Sequence, residues 1–167
     1  MRHTLVALVE DKPGVLTRVA SLFRRRNFNI ESLTVGHTEI PHISRMTIVV
    51  DENDAIVEQV IKQLYKLVNV TKINDVTNEP TIIHELALIK VQATPSTRSE
   101  IMQIAQVFEA KVVDMALDSL TIEVTGMEDK VDSVQRLLRP FGIKEMVRTG
   151  RVAMVRGASD NGNGKGR

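Results

Sequence analysis

Four consecutive residues, Asp11-Lys12-Pro13-Gly14, join the first predicted strand to the first predicted helix, and their types suit the binding of an anion. The fixed φ of Pro13 fits the first turn of a helix, where no N–H is needed. Gly14 has no Cβ and therefore leaves the neighbouring backbone amides open to a ligand. The helix that follows supplies free N–H groups and the positive end of its dipole, and both favour a carboxylate.

Two side chains predicted near this turn could bind an ammonium group. Asp11 ends the first strand, and Asn29, early in the second predicted strand, offers an amide donor and an amide acceptor together. Because an α-amino acid carries a carboxylate and an ammonium group close together, the pattern predicts a small amino acid as ligand. A Pro-Gly pair is also common in strand–helix turns that bind nothing, so the spacing alone leaves both interpretations open.

The other residue types predict neither a catalytic site nor a metal site. The four histidines, His3, His37, His42 and His84, do not form a metal-binding spacing. The sequence has no phosphate-binding glycine loop after a strand and no nucleophile elbow. Because the 167 residues include no cysteine, disulfides, thiolate metal sites and cysteine nucleophiles are excluded.

The charge balance argues against a dedicated nucleic-acid binder, and the N-terminus argues against a membrane protein. Lys and Arg total 22 and Asp and Glu total 21, whereas nucleic-acid binders usually carry a basic excess. The run Arg24-Arg25-Arg26 could contact phosphate, although a solvated helix end is the alternative. The apolar stretch after Thr4 is too short for a membrane helix and has no cleavage site, which predicts a soluble, cytoplasmic protein.

Hydrophobic periodicity predicts the order β-α-β-β-α-β in each half of the chain. The first half has predicted strands at 5–9, 27–38, 42–51 and 69–77, with helical stripes at 15–23 and 56–67. The second half repeats this order, which predicts an α+β protein of two tandem ferredoxin-like βαββαβ domains. We place the domains at 1–78 and 85–157, a linker at 79–84 and a disordered, glycine-rich tail at 158–167.

A tandem RNA-binding module is one alternative for this architecture. Ferredoxin-like domains that bind RNA stack bases on aromatic side chains of their central strands. The central strands here offer Ser44-Arg45-Met46 and Leu120-Thr121-Ile122, without an aromatic residue. The sequence therefore gives this alternative little support.

Several runs of residues resemble an ACT domain, namely 8–16 around the turn and 24–33 at the start of the second strand. More narrowly, residues 29–35, 44–47, 62–68 and 85–91 resemble the small regulatory subunits of acetolactate synthase, also called acetohydroxyacid synthase. The resemblance covers residues 1–157, with the motifs in the order of the family. It implies an N-terminal ACT domain followed by a C-terminal ACT-like domain.

The resemblance also implies a protein that is not itself an enzyme. Members of the family bind a thiamine-diphosphate-dependent catalytic large subunit, raise its activity and confer feedback inhibition by valine, sometimes by isoleucine or leucine. This chain is then expected to carry no cofactor, with thiamine diphosphate, FAD and Mg only on the catalytic partner. The resemblance further implies a homodimer of ACT domains, with a branched-chain amino acid bound at their interface as effector of branched-chain amino acid biosynthesis.

Carried over by position, the resemblance assigns nine residues to the effector site, with Gly14 and Asn29 as its central pair. Those expected to hold the ligand are Asp11, Gly14, Val15, Leu16, Asn29 and Ile30. Those expected to approach from the second copy are Thr34, Val35 and Gly36.

Asp11 departs from the family, because many small subunits have Asn at this position. A carboxylate there would attract the ammonium group of the ligand and repel its carboxylate, which bears on affinity and effector choice.

Two further alternatives remain open from the sequence. One is an ACT-type amino-acid sensor of a different metabolic enzyme, and the other is an enzyme in its own right.

Overall fold

The computed structural model describes residues 1–157 and contains two units with the same element order. The first unit consists of β1 (Arg2–Glu10), α1 (Val15–Arg25), β2 (Ser32–His37), β3 (Ile43–Asp51), α2 (Asp54–Leu64) and β4 (Val70–Asp75). The predicted tail at 158–167 lies outside the described residues.

The second unit repeats the order and adds one strand at its end. It consists of β5 (Thr81–Gln92), α3 (Arg98–Val107), β6 (Lys111–Met115), β7 (Ser119–Gly126), α4 (Glu128–Leu138), a short 3-10 helix (Arg139–Phe141), β8 (Ile143–Arg148) and β9 (Val152–Val155). The predicted α+β class and tandem βαββαβ architecture are therefore confirmed. No helix within residues 1–157 is long and apolar enough to cross a membrane.

The first sheet is antiparallel with the order β2-β3-β1-β4, and both helices of the unit cover one of its faces. Every second side chain of β1 and β3 points to that face, because side chains alternate along a strand. These side chains meet the apolar stripes of α1 and α2 in a core that excludes water, formed by Leu5, Ala7, Val9, Val19, Phe23, Met46, Ile48, Val50, Val57, Val60 and Leu64.

Helix α1 runs back along this sheet from the turn to the opposite end. Its apolar residues recur at helical spacing, so that one side is buried and the other faces solvent. The helix ends before Asn27, which has a left-handed φ of 55°, a conformation that Asn tolerates well. Phe28 then packs edge-to-face on Phe23, with ring centroids 6.3 Å apart, and returns the chain to the sheet.

The second sheet has the order β6-β7-β5-β8, and helices α3 and α4 cover one of its faces. Side chains alternate between the two faces along β7. Leu120, Ile122 and Val124 are fully buried, whereas Thr121, Glu123 and Thr125 on the other face are not. The core of this unit is again aliphatic, in keeping with the small share of aromatic residues.

The connection between the two units is shorter than the predicted linker at 79–84. Strand β5 begins at Thr81, and its first four residues pair with β9, from Thr81 opposite Val155 to His84 opposite Val152. Local sequence does not reveal this pairing, because the partner strand lies at the far end of the chain. The second strand also starts later than predicted, at Ser32 instead of Asn27.

Strand β9 lies against the face of the first sheet that the helices leave bare. Ala153 is buried with Val6 and Val76, and Ile83 packs against them. Arg45 of β3 donates a hydrogen bond from Nη2 to the carbonyl oxygen of Ala153 at 2.6 Å. The two units therefore share a small core of their own.

Candidate functional site

The turn between β1 and α1 depends on the backbone conformation of Gly14. This residue has φ 84° and ψ −7°, in the left-handed region, which costs an L-residue roughly 1–2 kcal/mol. A Cβ added at Gly14 would meet no atom within 4 Å. The conformation thus favours glycine, and the space beside it is open to a ligand.

The start of α1 presents backbone donors that the protein itself does not use. Gly14 has no side chain to cap the helix, and the first turn contains no acidic residue. The amide of Val15 donates to the carbonyl of Lys12 at 3.4 Å. Within residues 1–157, the amides of Leu16 and Thr17 have no backbone acceptor, so they can donate to a carboxylate.

Asp11 is held at the same end of the sheet by the connection between β2 and β3. Its amide donates to the carbonyl of His42 at 2.8 Å, and its Oδ2 lies 3.3 Å from Nδ1 of His37. Both side chains of the latter pair are exposed. His37 was not predicted as a site residue, although its place at the end of the predicted strand 27–38, just before the strand 42–51, was a signal that it could approach the end of β1.

The two helix residues predicted for the site differ in what they can offer. Val15 is only 4% exposed because its side chain belongs to the core, so a ligand at the turn can meet only its backbone. Leu16 is 45% exposed and can make apolar contact with a ligand.

The three residues predicted on β2 lie in a strand with one free edge, since among residues 1–157 β3 is its only neighbour in the sheet. Val35 is exposed, and the space beside Gly36 is open. Thr34 is half-buried, and a Cβ on Gly150 of the same chain would come within 2.6 Å of its hydroxyl oxygen. The Thr34 side chain therefore lies against the second unit of its own chain.

Asn29 and Ile30 do not lie beside the turn of their own chain, which corrects the predicted grouping. The backbone amide of Glu31, the next residue, donates to the carbonyl of Val49 near the end of β3. At the turn, by contrast, the amide of Asp11 donates to the carbonyl of His42, just before β3 begins. The intervening length of strand is about 20 Å at 3.3 Å per residue. Ile30 packs on the core, and Asn29 is exposed with its amide donating to Glu31. The two groups of predicted site residues thus lie at opposite ends of β2 in one chain.

A separate cleft of about 310 Å³ lies between the two units and is lined by paired charges. The Glu128 carboxylate accepts from Arg2 at 2.6 Å and from Arg151 at 2.9 Å. The hydrogen bond to Glu128, with the charge of that carboxylate, raises the pKa of Arg2. These contacts fix the units together and could not be predicted, because no local pattern links the residues involved.

No group of three His, Cys, Asp or Glu side chains in the described part of the chain could hold a metal ion.

Comparison with known proteins gives matches over nearly the whole chain. A model of the AHAS small subunit-like ACT domain matches residues 5–72, and a model of the small subunit of acetolactate synthase matches residues 84–157. A probable acetolactate synthase small subunit of Archaeoglobus fulgidus is 58% identical, over 94% of this chain and 98% of the relative. The acetolactate synthase small subunit of Mycobacterium bovis is 52% identical, over 98% of this chain and 97% of the relative.

A solved structure agrees with these relatives. The crystal structure of the acetolactate synthase small subunit from Thermotoga maritima matches with a TM-score of 0.90 at 41% identity, covering 95% of this chain and 99% of that one. The tandem βαββαβ units, with an open turn beside a free edge strand, define a non-catalytic regulatory protein of the ACT class. The chain belongs to the family of acetolactate synthase small subunits, which confirms the resemblance noted in its sequence. A small subunit implies a catalytic large subunit as its partner.

Proposed function

We propose that this chain activates the thiamine-diphosphate-dependent catalytic subunit of acetolactate synthase and makes it sensitive to valine, in branched-chain amino acid biosynthesis. The observation that carries the proposal is the open Gly14 turn, where the amides of Leu16 and Thr17 lack backbone acceptors. The proposal assigns thiamine diphosphate, FAD and Mg to the catalytic partner and places the assembly in the cytoplasm.

A homodimer formed along β2 would join the two groups of predicted site residues that a single chain keeps apart. If two copies of β2 paired antiparallel with Thr34 opposite Val35, Asn29 of each copy would fall opposite Ile40 of the other. Ile40 belongs to the connection between β2 and β3 that holds Asp11, whose amide is bonded to His42. The turn of one copy and Asn29 of the second would then face one ligand, which supports a site at the interface.

The groups gathered in this way fit valine. The two free amides of α1 suit its carboxylate, and the Asp11 carboxylate or the Asn29 amide oxygen suits its ammonium group. The exposed side chains of Leu16 and Val35 offer aliphatic contact for its isopropyl group. The same chemistry admits isoleucine or leucine, so the size of the apolar space decides between these effectors.

An effector bound between two copies acts by stabilising the pairing that it fits. It can change the activity of the catalytic subunit only if it binds two states of the assembly with different affinity. A coupling of roughly 1–3 kcal/mol is typical of such systems.

Calorimetry of the isolated protein with valine tests the effector part of the proposal. We expect heat of binding for the parent chain and none at millimolar valine for Gly14→Asp, because the new carboxylate lies where the effector carboxylate binds. Gly14→Asn is the matched control, since Asn has nearly the same shape, tolerates a positive φ and carries no charge. We expect Gly14→Asn to bind more tightly than Gly14→Asp. Absence of binding by the parent chain would contradict the proposed effector.

Mixing with the catalytic large subunit from the same source tests the regulatory part. We expect the parent chain to raise the turnover of the large subunit and to make it inhibitable by valine. Gly14→Asp should still raise turnover but should leave the enzyme insensitive to valine. An unchanged turnover with the parent chain would argue against the activating role.

A further inference from the structure

The outer side of the helix layer in the first unit carries a concentrated positive charge. We call this surface the basic face and define it by Arg18, Arg24, Arg25, Arg26 and Lys66. All five side chains are exposed, and none forms an ion pair with another residue of 1–157. The whole chain has a formal charge of only +1, so a group of five unpaired cations on one surface departs from its otherwise balanced charge.

Two of these cations are oriented by neutral partners. Arg18 donates from Nη1 to the amide oxygen of buried Asn69, and Arg26 donates from Nη2 to Oε1 of Gln63 at 3.2 Å. An amide oxygen can hold a guanidinium group in place without cancelling its charge. Two guanidinium groups of the basic face are therefore held in place, while their positive charges have no acidic partner.

Two adjoining shallow clefts, of about 400 and 540 Å³, lie on the basic face. Both are lined by Arg25 and Leu67, and no acidic side chain lines either of them. Glu58, an exposed acidic residue of α2, is paired with Lys62 at 2.6 Å. Val68, next to Leu67 in the chain, is 83% exposed. Arginine beside exposed apolar side chains is typical of protein–protein interfaces.

The composition of the clefts favours a protein partner over a nucleic acid. Neither cleft has an aromatic side chain on which a base could stack. The surface also remains accessible in the described fold, because β9 covers the opposite face of the sheet and the free edge of β2 lies elsewhere.

We propose that the basic face is the surface through which this chain docks on an acidic patch of the catalytic large subunit. This rests on the proposed activating function, which requires such a contact. The basic face includes Arg18, Arg24 and Arg25 of α1. The first residue of this helix, at the proposed effector site, lies about 15 Å from its last residue, at 1.5 Å per residue. A rigid movement of α1 caused by the effector would reach the catalytic subunit directly.

Charge reversal in the full chain tests the docking surface. The test variant carries Arg24→Glu and Arg25→Glu, and the matched control carries Lys111→Glu and Arg139→Glu on exposed sites of the second unit. Both variants change the net charge by the same amount. Binding to the large subunit is measured by biolayer interferometry at about 50 mM and about 500 mM salt, because salt screens exposed charges.

We expect the test variant to bind at least about tenfold more weakly at low salt, with a smaller difference at high salt, and the control to stay within about twofold of the parent. The neutral variant with Arg24→Gln and Arg25→Gln should show an intermediate loss of affinity. It serves as a second test if the charge-reversed variant does not fold. Equal affinity of the test variant and the control at low salt would overturn the proposal.

Two measurements on the isolated chain separate this proposal from its alternatives. Valine binding by calorimetry should be unchanged in the test variant, so failure of the parent to bind valine would count against the effector and not against docking. Sedimentation should show the same oligomeric state for parent and test variant. Dissociation of the test variant alone would identify the basic face as a contact between copies of this chain and overturn the proposal.

Discussion

His3 lies buried at the start of β1, between carboxylates from two other elements. Its Nδ1 is 3.0 Å from Oδ2 of Asp75, and its Nε2 is 3.2 Å from Oδ1 of Asp54. Asp75 also accepts hydrogen bonds from the amide and hydroxyl groups of Thr77. Burial acts to raise the pKa of Asp75, but the hydrogen bonds from Thr77 and His3 outweigh it and leave that pKa below its ordinary value.

We expect Asp75→Asn to lower the free energy of unfolding by roughly 1 kcal/mol near neutral pH. Because the pKa of Asp75 is lower in the folded chain, its ionised form stabilises the fold above the ordinary value of 3.8. This contribution is lost as the pH falls from that value through the folded pKa. Urea unfolding at about pH 7, 5 and 3 should show the gap between parent and variant narrowing only at the lowest pH. A constant gap would show that Asp75 titrates alike in both states.

The proximity of the predicted site residues follows from the sequence where they are consecutive and not where the fold joins them. Asp11 and Gly14 belong to one turn, so local sequence is sufficient to place them together. Asn29 was grouped with them wrongly, because α1 carries the chain back to the opposite end of the sheet before β2 begins. The contact of His37 with Asp11 depends on hairpin register, which residue types alone do not specify.

At the scale of elements, the starts of the helices also show that residue type alone does not determine local structure. The spacing of Thr97 and Glu100 predicts a capping box for α3, but Thr97 has a helical ψ of −16° and makes no cap hydrogen bond. Its hydroxyl instead accepts from the amide of Thr94 at 2.9 Å. Asn53 does cap α2, since it is extended and accepts from the amide of Ile56 at 3.0 Å. A cap thus depends on the incoming backbone direction as well as on residue type.

The start of β5 was missed for a related reason. The segment after Pro80 has two adjacent isoleucines, so it lacks the strict alternation that marks a half-buried strand. In the fold this segment pairs with β9, Ile83 packs on the core shared by the two units, and Ile82 is 41% exposed.

The segment between β8 and β9 offers a test of how tightly the units are packed. We expect Gly150→Ala to lower the free energy of unfolding by about 1–3 kcal/mol. Its Cβ would lie 2.6 Å from the hydroxyl oxygens of Ser32 and Thr34 and 2.9 Å from the carbonyl oxygen of Leu33. The hydroxyls can rotate away, but the carbonyl belongs to the backbone of β2, so the strand must shift.

Chemical denaturation measures this effect, with Gly157→Ala as the matched control. A Cβ at Gly157 would meet nothing within 4 Å, so we expect little change there. Equal stability of the two variants would mean that the segment between β8 and β9 can shift to accommodate the Cβ without moving β2.

At the scale of the whole molecule, the shared core makes the stability of each unit depend on the other. Ala153 is 4% exposed between Val6 and Val76, whereas the next residue, Met154, is 63% exposed. We expect Ala153→Asp to lower the free energy of unfolding by roughly 3 kcal/mol or more, because it buries an unpaired charge. Met154→Asp, on the opposite face of the same strand, should change it by about 0.5 kcal/mol or less. Thermal unfolding followed by circular dichroism compares the two, and similar melting temperatures would contradict a shared core.

The position of β9 also limits how this chain can change over generations. Although the two units repeat one architecture, a recombination that replaced either of them would set Val6 and Val76 against a foreign strand. Arg45 would at the same time lose the carbonyl group that accepts its hydrogen bond. We therefore expect substitutions at these positions and at Ala153 to occur together among relatives. We also expect the two units to be inherited together.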